Sequence, residues 1–141
     1  MEAMKLDLSK PNEAHADERL RRDVMIWLGT TRADGRPHQV PVWFLWDGDT
    51  VLIFSKPDQK IRNLAQHPAV SLALDNTQGG NDVVVLEGEA TVAPTAELGA
   101  LPPAYAAKYG ALMADIGLVP ESMAGSYSQM IRIRPTKIRA W

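Results

Sequence analysis

A short basic cluster is the strongest candidate for chemistry in this sequence. In the stretch FSKPDQKIRNL (54–64) a hydroxyl and three cations follow an apolar run: Ser55, Lys56, Lys60 and Arg62. The proline and aspartate between them are residues that begin helices, so free backbone N–H groups and the positive end of a helix dipole would converge with these side chains. That composition suits a phosphate group. The alternative is a solvated helix with its lysines pointing outward, and the residues alone leave both open.

A second candidate is the run QVPVWFLW (39–46), in which residues 42–46 are all large and apolar. Successive side chains of a strand point to opposite faces, so both faces of this strand must be covered. One face fits the core of the domain. The other would be covered by a partner chain or a flat ligand, or else the strand is buried twice within the same chain.

Other catalytic patterns are missing from the sequence. It contains no cysteine, which excludes a disulfide framework, a thiolate metal site and a cysteine nucleophile. Three isolated histidines, His15, His38 and His67, have no second ligand at metal-binding spacing, so we predict surface histidines and no metal site. The motifs GxSxG, HExxH, GxxxxGK and GxGxxG are absent. If the protein is an enzyme, a bound cofactor must supply the difficult step.

Length and composition limit the classes of protein to which the chain can belong. A chain of 141 residues with 45% hydrophobic residues predicts a single domain over 1–141, with 1–12 as a flexible polar tail. No apolar segment approaches the ~18 residues of a membrane span, and the N-terminus lacks a targeting pattern, which predicts a soluble cytoplasmic protein. A net charge of -2 argues against an extended nucleic-acid-binding face.

The order of elements predicts a mostly β (α+β) domain, a small barrel of about six antiparallel strands with a few short helices. Hydrophobic periodicity places helices near 13–25, after Ser55 and over 101–118, where Tyr105, Tyr109, Leu112 and Ile116 share a stripe. Tight turns join the first three strands in sequence order, and a later strand bends at Gly88. The predicted strands are 25–32, 38–46, 50–55, 69–75, 82–93 and one or two within 127–141.

Four segments taken in order carry a family resemblance: WLGTTRADGRPHQVPVWFLWDG, VLIFSKPDQKIRNLAQHPAVSLAL, DVVVLEGEATV and YSQMIRIRPTKIRAW. Together they resemble the pyridoxamine 5'-phosphate oxidase-like split β-barrel superfamily. Within it they are most similar to the coenzyme F420 (deazaflavin)-dependent reductases. The likeness covers nearly the whole chain from about Asp23 onward, and its specificity lies in the order and spacing of the VPVW hairpin and the SK–K–RNL–HP run.

The resemblance implies a homodimer in which each cofactor lies in a groove at the interface, with its ring against the second strand. The cofactor phosphate would be held by Ser55, Lys56, Lys60, Arg62 and Asn63. The ring would be lined by Val40, Pro41, Val42 and Trp43. No residue is predicted as a catalytic acid, since a proton can come from solvent.

Two classes of function follow from this likeness. The first is an oxidoreductase that transfers a hydride from reduced coenzyme F420 to an activated double bond of a small hydrophobic molecule. The second is an FMN-binding split-barrel protein that acts as a flavin reductase or as a non-catalytic flavin carrier, because the same fold also serves FMN-binding and haem-handling proteins. The C-terminal RIRPTKIRAW lacks the Arg-x-His pattern of the vitamin B6 oxidases, which argues against oxidation of pyridoxamine phosphate.

Overall fold

The computed structural model describes residues 4–141 and has at its centre a seven-stranded antiparallel sheet that curls into a barrel. The strands are β1 (Met25–Thr31), β2 (Pro37–Trp43), β3 (Leu45–Trp46), β4 (Val51–Ser55), β5 (Ala69–Leu74), β6 (Val84–Pro94) and β7 (Gln129–Ala140). Their order across the sheet is β2-β1-β5-β6-β7-β4-β3. The predicted fold class is confirmed, with seven strands in place of about six.

One residue, Phe44, joins the two ends of this sheet. The expected hairpin of β1 and β2 forms, with Ile26 opposite Val42. The predicted strand 38–46 then breaks at Phe44, and β3 pairs with β4 at the far end of the sheet. The backbone N–H and C=O of Phe44 both bond the Tyr109 hydroxyl, at 2.9 Å each. The predicted strand 38–46 therefore pairs antiparallel with both of its sequence neighbours, as expected, but it does so in two parts, β2 and β3, which lie at opposite ends of the strand order. The break between them brings the sheet edges together.

Within residues 4–141, four α-helices complete the fold: α1 (Pro11–Arg22), α2 (Gln59–Gln66), α3 (Pro103–Asp115) and α4 (Met123–Ser126). Both α1 and α3 begin with proline in the first turn, where its missing N–H has no partner to lose. Helices α1 and α2 place Ala16, Leu20 and Leu64 against the barrel interior. The stripe predicted for the third helix is buried at Tyr105 and Tyr109, whereas Ile116 follows the helix and is exposed.

The buried side chains form two separate hydrophobic cores. The inner core fills the barrel and is mainly aliphatic; it includes Leu20, Ile26, Leu28, Phe44, Trp46, Val51, Ile53, Leu72, Leu86, Ile131 and Ile133. The outer core lies between the outside of the barrel and the helices α3 and α4. It consists of Leu52, Phe54, Tyr105, Tyr109, Met113, Met123 and Met130. All of β4 is buried, because its alternating side chains enter one core or the other.

The two cores explain the apolar run 42–46. Val42, Phe44 and Trp46 pack in or against the inner core. Trp43 and Leu45 pack against the outer core, beneath α3. The same chain therefore covers part of the second face, while Trp43 and Leu45 stay half-buried and Trp43 borders a cavity. That a partner chain or a flat ligand covers the remainder stays a prediction.

The bend predicted at Gly88 is confirmed, since the pairing of β6 with β7 shifts register between Glu87 and Gly88. A Cβ atom at Gly88 would lie 2.6 Å from the carbonyl oxygen of Arg134, too close for any other residue. The bulge lets these long strands wrap around the barrel.

The segment predicted as a tail, 1–12, begins with residues 1–3, which lie outside the described residues. The next residues contact the barrel: the Met4 N–H donates to the Pro135 carbonyl at 2.9 Å, and the Met4 and Leu6 side chains pack against the inner core. Across residues 4–141, no helix combines the length and the apolar character needed to cross a membrane.

Candidate functional site

A cavity of about 310 Å³ brings most of the predicted site residues together. Six of them line it: Pro41, Val42, Trp43, Ser55, Lys56 and Lys60. The wall formed by the outer core and the segment after α3 includes Phe54, Tyr105, Ile116, Leu118, Met123 and Tyr127. The volume is at the lower end of the ~300–1,000 Å³ of small-molecule sites. We call this space the site cavity.

The basic end of the site cavity is formed where β4 leads into α2. Ser55 is buried, and its hydroxyl donates to the Lys56 carbonyl at 2.6 Å. The Lys60 side chain is only 11% exposed, and its ammonium donates to the Asp58 carboxylate. The Lys56 ammonium lies 5.6 Å from the ring centroid of Tyr127. Two lysines and one carboxylate give this end one net positive charge.

The start of α2 is uncapped. Asp58 occupies the N-cap position, but its side chain accepts no capping hydrogen bond from the helix. An aspartate there would ordinarily bond a backbone N–H of the first turn. Its carboxylate instead faces Lys60 and lies 3.5 Å from the Ser55 hydroxyl. The first N–H groups of the helix therefore remain available to an anion.

Three predicted site residues, Val40, Arg62 and Asn63, do not line the site cavity. Arg62 is exposed, and its guanidinium donates to the Gln59 side chain at 2.8 Å. Of the three cations that were expected to converge, Lys56 and Lys60 line the cavity and Arg62 does not. Asn63 is buried, and its amide N–H₂ donates to the Thr30 hydroxyl at 2.9 Å. This bond ties α2 to β1, so Asn63 positions the helix that carries Lys60.

Aromatic rings form the apolar end of the site cavity. Trp43 stacks on Tyr109 with ring centroids 4.6 Å apart and planes 8° from parallel, so one face of the indole is already occupied. Tyr105 packs edge-on against Phe54 at 4.9 Å. The rings are fixed by these contacts and present an apolar wall to whatever enters beside the lysines.

Two polar groups of α3 hold this wall in place. The Tyr109 hydroxyl donates to the carbonyls of Val24 and Phe44 and accepts the Phe44 N–H. The Lys108 ammonium donates to the Phe44 carbonyl at 3.0 Å and lies 3.8 Å from that residue's ring centroid. Burial lowers the pKa of Lys108 to about 8 and raises the pKa of Tyr109.

Sequence reasoning did not place Tyr105, Met123 and Tyr127 in the wall of the site cavity. The spacing of the tyrosines predicted that α3 is amphipathic. It did not predict which face of the sheet the apolar side of the helix covers. About fifty residues separate Phe54 from Tyr105, so no local spacing could place them together.

The histidines differ in their surroundings. His15 lies 2.9 Å from the Asp82 carboxylate, and His38 has a buried Nδ1 without a partner among residues 4–141, so His38 is not a plain surface residue. Within the same residues, no three His, Asp or Glu side chains are grouped as a metal site requires.

Comparison with solved structures relates this fold to several proteins. An F420 reductase superposes with a TM-score of 0.65 at 23% identity, over 87% of this chain and 94% of that chain. A conserved hypothetical protein from Mycobacterium tuberculosis gives 0.72 at 21% identity, over 100% and 89% of the two chains. The heme storage protein HutZ from Vibrio cholerae gives 0.62 at 16% identity, over 97% and 95%. These likenesses establish the fold.

No curated protein matches the chain significantly. The family model described as pyridoxamine 5'-phosphate oxidase matches residues 13–141, nearly the whole chain. Together with the curled antiparallel sheet, this match identifies the chain as a member of the pyridoxamine 5'-phosphate oxidase family, with the split-barrel fold that it shares with an F420 reductase.

Proposed function

We propose that this chain is a coenzyme F420 (deazaflavin)-dependent oxidoreductase that transfers a hydride to an activated double bond of a small hydrophobic molecule. The observation that carries the proposal is the site cavity, where Ser55, Lys56 and Lys60 lie at one end and Pro41, Val42 and Trp43 line the wall. A phosphate and a flat ring joined in one molecule require these two surfaces side by side. The fold shared with an F420 reductase supports the choice of coenzyme.

The residues present fit a phosphorylated cofactor. The two lysines and the uncapped start of α2 offer positive charge and free N–H groups within one small region. The buried Ser55 hydroxyl adds a donor there if it turns from the Lys56 carbonyl to the phosphate. Asp58 opposes an anion, so the phosphate would take its place as the partner of Lys60. When bound, the coenzyme supplies the hydride; the chain's own residues hold it, keep its surroundings apolar and exclude water.

We also propose that a second copy of the chain completes the site. The site cavity is open, and its rim carries exposed apolar residues: Pro41 is exposed, and the Ile116 side chain is 62% exposed. Apolar groups at the mouth of a ligand site are commonly covered by a subunit. Sedimentation equilibrium at micromolar concentration should give a dimer, and a monomer would contradict this part of the proposal.

The proposed function is tested first by binding. Titration with coenzyme F420 and with FMN should give a lower dissociation constant for F420. Reduced F420 should then be oxidised only when the protein and an acceptor such as cyclohex-2-en-1-one are both present. Tight FMN binding without F420 binding would replace this proposal with the FMN-binding alternative, and F420 binding without turnover across a broad panel of acceptors would favour a carrier.

A further inference from the structure

The hydroxyl of Tyr105 is a buried donor that the fold does not use. The residue is 2% exposed, yet its hydroxyl forms no hydrogen bond with any residue in the described range 4–141. Within residues 4–141, the side-chain polar atom that is sealed from open space and lacks a hydrogen-bond partner is His38 Nδ1. The Tyr105 hydroxyl, which also lacks a partner, is therefore not sealed. Tyr105 lines the site cavity, so we assign this cavity as the open space that its hydroxyl reaches.

Tyr109, one helical turn later in the same core, has a hydroxyl whose hydrogen bonds are all to the protein, and it serves as a comparison for Tyr105. Its ring lies 4.8 Å from that of Tyr105, and it is also fully buried. Its hydroxyl bonds three backbone groups of Val24 and Phe44. Two tyrosines of one helix thus share burial and neighbours, and only one of them has its polar atom satisfied by the protein.

A hydroxyl that the protein leaves without a partner at the edge of a cavity is free to donate to water or to a bound ligand there. Burial and the neighbouring tyrosines raise the pKa of Tyr105, which keeps the phenol protonated and able to donate. The Tyr105 ring packs against Phe54 and Tyr109, surroundings in which a neutral ligand group is less costly to bury than a charged one. The fitting partner is a neutral acceptor, such as a carbonyl oxygen.

We propose that the Tyr105 hydroxyl donates a hydrogen bond to the carbonyl oxygen of the substrate, so that the site selects α,β-unsaturated carbonyl compounds. This inference rests on the proposed function and specifies its substrate class. Hydride addition at the β-carbon would break the π bond and move its electron pair to the carbonyl oxygen, where the Tyr105 hydrogen bond would stabilise the charge; a proton from solvent would then add to the α-carbon. The same bond fixes the orientation of the substrate, because the Tyr105 ring is held against Phe54.

The first test is binding, which needs no coenzyme. Cyclohexanone is a non-reducible probe of the carbonyl subsite, and methylcyclohexane is its matched apolar analogue. Ligand-observed NMR on the intact protein should show that Tyr105→Phe weakens cyclohexanone binding about three- to tenfold, the effect of one neutral hydrogen bond. Binding of methylcyclohexane should not change. Tyr109→Phe removes a hydroxyl that bonds the backbone behind the wall, so any effect it has on the cavity should weaken both probes alike. A loss confined to cyclohexanone is therefore specific to Tyr105.

The second test is turnover of cyclohex-2-en-1-one with reduced F420. Tyr105→Phe should lower kcat/KM at least as much as it lowers cyclohexanone affinity, while the dissociation constant of F420 stays the same. Unchanged cyclohexanone binding in Tyr105→Phe, no cyclohexanone binding to the wild type, or weakened F420 binding instead would each overturn the inference. If no variant oxidises F420 but Tyr105→Phe still loses cyclohexanone, the carbonyl subsite stands and the proposed function fails.

Discussion

The two hydrophobic cores on opposite faces of β4 differ in composition and in use. The inner core is mainly aliphatic and is enclosed by the barrel strands with α1 and α2. The outer core contains two tyrosines, a phenylalanine and three methionines, and the site cavity opens along it. Adjacent residues of one strand, Ile53 and Phe54, belong to different cores.

The difference indicates where the molecule can accept a ligand. Branched aliphatic side chains inside the barrel pack closely in one arrangement and so stabilise one structure. Aromatic rings and methionines bridge irregular gaps and adapt to what enters them. The inner core therefore holds the barrel together, and the outer core positions the wall of the site.

The largest expected effect is on the inner core. Ile53→Ala should lower the free energy of unfolding by about 2–5 kcal/mol, because the rigid barrel cannot collapse around the void. Met123→Ala removes a side chain of similar size from the outer core and should cost less, since Met123 already borders the site cavity. Urea unfolding measures both. Equal losses would show that the outer core is packed as rigidly as the inner one.

At the rim of the outer core, a substitution should change ligand affinity and leave stability nearly unchanged. Lys60→Ala should weaken F420 binding about ten- to a hundredfold, the loss of a charge-assisted hydrogen bond of about 1.5–3 kcal/mol. Its ion pair should contribute little to folding, because its partner Asp58 is half-exposed and both residues line the open site cavity. Affinity is measured by titration of coenzyme fluorescence and stability by thermal unfolding.

The same end of the cavity supplies two controls. Arg62→Ala removes an equal charge from the same helix but outside the cavity, and should have no comparable effect. Asp58→Asn should tighten binding, because it removes the carboxylate that competes with the phosphate. If Arg62→Ala and Lys60→Ala weaken binding equally, the charge of α2 acts at long range and no direct contact is needed.

Within the outer core, the two tyrosines should separate stability from binding. Tyr109→Phe removes the partner of the Phe44 N–H and of the Val24 carbonyl and should cost about 1–3 kcal/mol, while the Phe44 carbonyl keeps Lys108. Tyr105→Phe breaks no hydrogen bond with residues 4–141 and should stay within about 0.5 kcal/mol of the wild type. Equilibrium unfolding in urea distinguishes them. A large loss in Tyr105→Phe would mean that its hydroxyl supports the fold.

The sequence predicted the barrel and the local parts of the site for a physical reason. Strand alternation, the bulge at Gly88 and the Ser55–Lys60 cluster depend on neighbouring residues, and the structure places them as expected. The break at Phe44 depends on a hydroxyl 65 residues away in Tyr109, which no local pattern encodes. The sequence predicted that Trp43 must be covered, but it did not predict that α3 packs over it. The orientation of Arg62 out of the cavity likewise depends on how α2 is docked by Asn63.

The smallest expected effect concerns the pH dependence of the outer core through Lys108. Burial lowers its pKa from 10.5 to about 8, against the opposing influence of Asp23. Between these two values the unfolded chain binds more protons than the folded one, so this group makes the protein more stable as pH rises from about 8 to 10.5. Below pH 8 the lysine is charged in both states, and the full cost of burying the charge remains. The raised pKa values of Tyr105 and Tyr109 act in the opposite direction above pH 10, where unfolded tyrosines ionise.

The measurement that isolates Lys108 is therefore the difference in melting temperature between wild type and Lys108→Met at pH 7, 8, 9 and 10. Lys108→Met keeps the aliphatic stem over Phe44 without the charge, so its advantage should be largest at pH 7 and shrink steadily toward pH 10. A constant difference would mean that Lys108 stays charged against Phe44 in the folded protein, held by its bond to the carbonyl and its contact with the ring.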